Sequence, residues 1–167
     1  MQVCFIGLRT IEKSDNLISA LQETVITLIN KGVTDFLFGS MSDFNDLAWE
    51  VVTELKKSYP YIKRVYVRSA FQYISKTYEE FLLKSYEETY FPSKLENAGK
   101  LSYLKRNYEM IDNSTFCVFY YDKNYLPPLK RVARNSLFST RRNSGTKLAY
   151  EYAIKRKKRL INLCKHY

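Results

Sequence analysis

The chain has 167 residues, 46% of them apolar, and a formal charge of +10 from 27 basic and 17 acidic side chains. That length is enough for one domain with its own core, no apolar run approaches the ~18 residues of a membrane span, and residues 1–6 lack the make-up of a secretory signal. One histidine, His166, and three cysteines without metal-ligand spacing, Cys4, Cys117 and Cys164, leave a zinc site or a serine–histidine triad without support.

Residues 3–6 read as a buried strand ending at Gly7. Leu17, Ile18, Leu21, Val25, Leu28 and Ile29 then recur at helical spacing, and Gly32 stops that helix. Residues 36–38 form a second short apolar run, closed by Gly39. Phe44, Leu47, Ala48, Val51, Val52 and Leu55 mark the next amphipathic helix, with Ser42 as its N-cap. Residues 62–67, rich in β-branched and aromatic side chains, give a third strand.

Residues 69–100 are less regular. Tyr78, Phe81, Leu82 and Ser85 suggest a helix that Phe91-Pro92 interrupts, so the segment reads as a lid-like excursion beside the sheet. Leu101, Leu104, Tyr108 and Ile111 restore helical spacing, and residues 115–120 form a strand covered on both faces. Residues 122–143 contain Pro127-Pro128 and read as an exposed basic loop. A last helix starts near Gly145, and residues 160–163 form a closing strand.

This alternation predicts an α/β fold: a Rossmann-like, doubly wound, mostly parallel sheet of about five strands with helices on both faces, in a single domain over residues 1–167. Ligands of such sheets bind beyond the carboxyl ends of the strands, where the strand order reverses. The rule gathers Gly7 to Arg9, Gly39 to Asn45, Arg68 and the turn at Ser144 onto one rim.

The strongest local signal is Asn143-Ser144-Gly145-Thr146 leading into an amphipathic helix. Unpaired amides and the helix dipole at such a start make a seat for phosphate. Phe38-Gly39-Ser40 offers a second seat, and Arg9 a guanidinium for a phosphate. Arg106 and Asn107 lie beside an apolar seam, where the arginine needs an anionic partner: Glu109, Asp112 or a ligand. Glu151 faces the rim or pairs with Lys147 or Lys155. The glycine pattern is neither a Walker loop nor a dinucleotide fingerprint. The cysteines read as buried free thiols in a reducing cytosol. Lys123, Lys130, Arg131, Arg134, Arg141 and Arg142 form one basic cluster, and residues 155–159 a second.

Gly7-Leu8-Arg9, Phe38-Gly39-Ser40 with Phe44-Asn45 and Ala48, residues 106–112 with Ser114, and Ser144-Gly145-Thr146 with Ala149 and Ala153 occur in order. Together they resemble the SLOG superfamily (SMF/DprA–LOG) of Rossmann-like nucleotide-binding proteins, and within it the YpsA-like branch. The resemblance implies one of several activities: cleavage of a nucleoside monophosphate's N-glycosidic bond, as in the LOG phosphoribohydrolases; sensing of ADP-ribose-derived signals in antiphage defence; or DNA binding, as in the DprA group. It also implies a homo-oligomer. The hydrolase pattern has an arginine where Arg106 stands and a glutamate where this chain has Ala149. Asp43 replaces a common glycine and Asn45 a common acid.

The expectation is therefore a cytoplasmic binder of a phosphorylated nucleotide, such as ADP-ribose or a cyclic relative, acting as a sensor or a sequestering protein, with no catalytic residue, metal or cofactor assigned. Its ligand-binding set is Gly7, Arg9, Gly39, Ser40, Asn45, Arg68, Arg106, Asn107, Ser144, Gly145 and Thr146, with tyrosines of the 69–100 segment stacking on the base. The alternatives are a nucleotide hydrolase and a nucleic-acid binder that uses the basic clusters.

Overall fold

The structure is a computed structural model, and it describes residues 1–39, 41–126, 130–131, 139–140 and 144–164. In chain order the main elements are β1 (Gln2–Gly7), α1 (Asp15–Asn30), β2 (Asp35–Phe38), α2 (Asp43–Lys56), β3 (Lys63–Val67), α3 (Lys76–Leu82), β4 (Glu88–Tyr90), α4 (Ser102–Asn113) and β5 (Phe116–Tyr120). They are followed by the short β6 (Lys130–Arg131) and β7 (Ser139–Thr140), then α5 (Gly145–Lys155) and β8 (Arg159–Asn162).

Serine hydroxyls cap three of the helices. Ser14, Ser42 and Ser75 sit in extended conformation, and their hydroxyls accept from Leu17, Asn45 and Tyr78 N–H respectively. At the end of α1 the chain turns at Gly32, whose φ of 86° lies in the left-handed region that glycine adopts without strain.

Six strands form one sheet in the order β4-β3-β2-β1-β5-β8, and every neighbouring pair is parallel. Because the side chains of a strand alternate between faces, β1 feeds two core layers. Val3 and Phe5 join Phe36, Phe38, Leu21, Val25, Phe44 and Val52 in the layer under α1 and α2. Cys4 and Ile6 join Leu37, Met110, Ile111, Ala149 and Ala153 in the layer under α4 and α5. In the first layer the Phe5 and Phe38 rings stack with centroids 5.3 Å apart.

The sheet has one strand more than expected. Residues 69–100 do not merely flank it, because β4 pairs with β3 as its outer strand. The preceding turn packs onto α2, where Trp49 Nε1 donates to the Ser85 carbonyl at 3.2 Å. The Tyr86 ring lies against Phe38, Trp49 and Tyr66. Within residues 122–143, β6 and β7 pair antiparallel as a separate ribbon. Pro127, Pro128, Arg134, Arg141, Arg142 and Asn143 lie outside the described residues, as do Ser40 and His166.

The thiols follow the sequence reading of burial. Cys4 and Cys117 are register partners across β1 and β5 and are fully buried, whereas Cys164 is half-buried; all three are free. Among the described residues, no helix is long and apolar enough to cross a membrane.

Candidate ligand site at the carboxyl edge of the sheet

Strand order reverses between β1 and β5. The chain leaves β1 toward β2, β3 and β4 on one side, and β8 lies beyond β5 on the other. A crevice opens at such a point beyond the carboxyl ends of the strands. Here those ends are Gly7 and Tyr120, register partners, and the next amide, Leu8 N–H, donates to the Tyr120 carbonyl at 3.2 Å.

Three buried polar side chains, one from each of three helices, fasten this edge. From α5, Thr146 Oγ1 donates to the Gly7 carbonyl at 2.9 Å. From α2, Asn45 Nδ2 donates to the Phe5 carbonyl at 3.0 Å, and its Oδ1 accepts from Gly39 N–H at 3.2 Å. From α4, the Arg106 guanidinium donates to the carbonyls of Gly39 and Val67, the latter at 3.1 Å, and its Nε donates to Asn107 Oδ1 at 3.1 Å. Gly7, Gly39, Asn45, Arg106, Asn107 and Thr146 are thereby brought together on one edge, with Gly145 adjoining Thr146.

Of the three anionic partners expected for Arg106 (Glu109, Asp112 or a ligand), the two acids of the chain are engaged elsewhere. Glu109 pairs with Lys94 at 2.9 Å and Asp112 with Arg156 at 2.8 Å. The arginine is only 1% exposed and is held by carbonyl oxygens instead. Burial lowers its pKa to about 10, against the opposing influence of Tyr66 and Tyr103, so it remains a cation at neutral pH.

Gly39 is also changed by its surroundings. A side chain there would meet the Arg106 guanidinium at 2.6 Å, so the room glycine leaves is filled from inside the protein. Its N–H is taken by Asn45, and the adjoining start of α2 carries Asp43 and Asp46. Those carboxylates already complement the helix dipole and oppose an anion. Gly7 has an internal reason as well, because a Cβ there would stand 2.5 Å from Phe44 Cβ.

Gly145 is different. A Cβ at this position meets nothing within 4 Å. Ser144 is half-buried and, unlike Ser14, Ser42 and Ser75, its hydroxyl caps nothing. The first turn of α5 contains no acid, and Lys147 lies in it. The start of α5 thus presents amides and partial positive charge that no side chain among the described residues caps.

Arg9 is exposed beyond β1, and its carbonyl accepts from Asp43 N–H at 2.9 Å. Arg68 follows β3, with Nη1 donating to the Phe71 carbonyl at 2.7 Å while Nε is buried without a partner among the described residues. Ala149 is fully buried in the core layer under α5, and Glu151 pairs on the helix surface with Lys147 at 3.9 Å. Of the alternatives for Glu151, the pair with Lys147 is the one observed.

Sequence reasoning missed a cavity of about 430 Å³ beside this edge, lined by Arg9, Gly39, Met41, Asp43, Asp46, Tyr66, Leu82 and Tyr86 among others. Tyr66 and Tyr86 lie 20 positions apart, and only the pairing of β3 with β4 puts their rings 5.1 Å from one another. Burial raises the pKa of both hydroxyls, that of Tyr86 to about 12, so both stay protonated.

Comparison with known proteins fits this geometry. The profile of the YspA SLOG family matches residues 9–148. No curated protein matches. Among solved structures, the chain is similar to DNA processing protein A from Helicobacter pylori, described for its single-stranded DNA binding mode, with 16% identity and a TM-score of 0.53. The match covers 96% of this chain and 63% of that one, so this chain spans less than two thirds of that protein's length, and the likeness is one of fold. A doubly wound parallel sheet, a helix start open at its switch point and a profile match over most of the sequence lead to one conclusion: the chain belongs to the YspA SLOG family.

Proposed function

We propose that the protein binds a phosphorylated nucleotide-type ligand at the carboxyl edge of its sheet, with a phosphate on the amides at the start of α5. The observation that carries this reading is Gly145. It begins an uncapped helix at the switch point and, unlike Gly7 and Gly39, no packing among the described residues demands a glycine there. A ligand that approaches the backbone closely supplies that demand. Ser144, Gly145 and Thr146 hold the phosphate, Gly7 lines the floor, and Arg9 and Arg68 supply positive charge. Gly39, Asn45, Arg106 and Asn107 shape the edge. ADP-ribose and its cyclic relatives carry the groups such a site takes, and the role is that of a sensor or a sequestering protein. Ala149 supplies no carboxylate at the position where the hydrolases of the superfamily have one, which favours binding over turnover.

Calorimetry against AMP, GMP, ADP-ribose and cyclic ADP-ribose tests the reading. At least one binds, and Gly145→Ala weakens it about tenfold or more while leaving thermal stability unchanged. Silence from the whole panel at high micromolar concentration, or full affinity in the alanine variant, overturns it.

A second reading is nucleic-acid binding, and one observation separates it in space. Residues 155–159 lie where α5 ends and β8 begins, and Arg159 is in register with Phe116 at the start of β5. This basic run therefore sits at the amino edge, opposite the phosphate seat. Binding there falls steeply with salt and is insensitive to Gly145→Ala.

A further inference from the structure

The cavity beside Gly39 has a chemistry unlike that of the α5 start. One end of the edge offers amides and no acid; the other offers Asp43 and Asp46 with two tyrosine rings, and Arg9, which follows β1, is also in its lining. An anion is attracted to the first more than to the second, where two carboxylates outnumber one guanidinium. A ligand with a phosphate at one end and N–H donors at the other is therefore oriented along the edge, phosphate toward α5 and donors toward α2. Neighbouring strands lie about 4.8 Å apart. The ends of β2 and β3, under the cavity, thus stand roughly one or two strand spacings from Gly7, a separation that a nucleoside phosphate spans.

Within the cavity the two carboxylates differ. Asp43 Oδ2 already accepts from Ile11 N–H at 3.3 Å. The Asp46 carboxylate makes no hydrogen bond or ion pair among the described residues; Lys13, which pairs with Glu50 at 3.3 Å, acts on it only electrostatically. An ionised carboxylate has two oxygens side by side and only accepts. Its complement is a pair of adjacent N–H donors on a flat ring. Tyr66 and Tyr86 supply an aromatic wall for such a ring, and the flexible Met41, 83% exposed at the mouth, supplies an adaptable apolar cover.

We infer that this cavity is a nucleobase pocket in which Asp46 selects guanine, accepting from N1–H and the exocyclic amine together while Tyr66, Tyr86 and Met41 enclose the ring. Hypoxanthine keeps N1–H but lacks the amine, and adenine has an amine without the neighbouring N1–H, so neither completes the pair, and ADP-ribose is held by its phosphates while its adenine fits this pocket less well than guanine does. The orientation of the ligand rests on the nucleotide reading of the same edge; the choice of base rests on the cavity.

Titrating guanosine, inosine and ribose 5-phosphate separately keeps the two apart. Guanosine binds about tenfold tighter than inosine, and Asp46→Asn, an exchange at an exposed side chain, removes the difference without altering ribose 5-phosphate binding. Equal affinities for the two nucleosides, a preference that survives in Asp46→Asn, or no nucleoside binding at millimolar concentration overturns the pocket. Failure of ribose 5-phosphate alone overturns the phosphate seat and leaves the pocket standing.

Discussion

Thr146 Oγ1 donates to the Gly7 carbonyl at 2.9 Å, joining two positions 139 residues apart in sequence. The bond ties the start of α5 to the end of the central strand and sets the width of the crevice between them. Thr146→Val keeps the shape and removes the donor, leaving a buried carbonyl unpaired. It lowers stability by about 1–3 kcal/mol in urea denaturation, whereas Thr146→Ser retains the bond and most of the stability. Nucleotide affinity falls in the valine variant and is largely retained with serine.

The glycines divide by what surrounds them. Gly7→Ala drives a methyl into Phe44 and costs about 1–3 kcal/mol through overpacking, read as a drop in melting temperature. Gly145→Ala places its methyl in open space, so stability stays within about 0.5 kcal/mol of the parent. A large loss of stability at Gly145 would mean that packing, not a ligand, requires glycine there.

Glu87 gives the fold a dependence on acid. Burial pushes its carboxyl pKa up, but hydrogen bonds from the Arg64 guanidinium and amide outweigh that and hold it below the ordinary 4.5. A carboxyl with a depressed folded-state pKa contributes stability above its unfolded value, and the contribution is lost as pH falls through the folded value. Because the pair is partly solvated, Glu87→Gln costs only about 1 kcal/mol at neutral pH. The difference between variant and parent narrows below about pH 4.5 and vanishes in stronger acid. A gap that stays constant between pH 7 and pH 3 would refute the assignment.

Thiol reactivity separates the core from its margin. Cys4 and Cys117 are fully buried, and the Cys117 thiol is pushed upward by its hydrogen bond with Cys4 and by burial. A disulfide reagent therefore modifies Cys164 first in the native protein, faster as pH rises, because burial and Asp122 hold its pKa above the ordinary value. The other two react only as fast as the chain unfolds. Native-state labelling of Cys4 or Cys117 at the rate of Cys164 would contradict the strand register.

Most of the framework was legible because burial leaves a period. The stripe Leu17, Leu21, Val25, Leu28 and the stripe Phe44, Leu47, Ala48, Val51 each face the core, as the spacing says. β4 was not legible: Glu88, Thr89 and Tyr90 form a short outer strand with no fully buried side chain, so no apolar signal marks them. The edge residues were found as residues but not always in their roles. Arg106 was expected to meet Glu109, Asp112 or a ligand, and its partners within the chain are carbonyls 67 and 39 positions away, which only strand order brings within reach. Asp46, Tyr66 and Tyr86 share no sequence pattern, and they meet through the packing of β3, β4 and α2.

The fastenings from Asn45, Arg106 and Thr146 each begin on a different helix and end in or at the end of a strand. The edge is consequently a place where the position of every one of these helices is registered. Pressure applied to the outward side of α2, α4 or α5, by whatever leans on it, is transmitted mechanically to the crevice mouth.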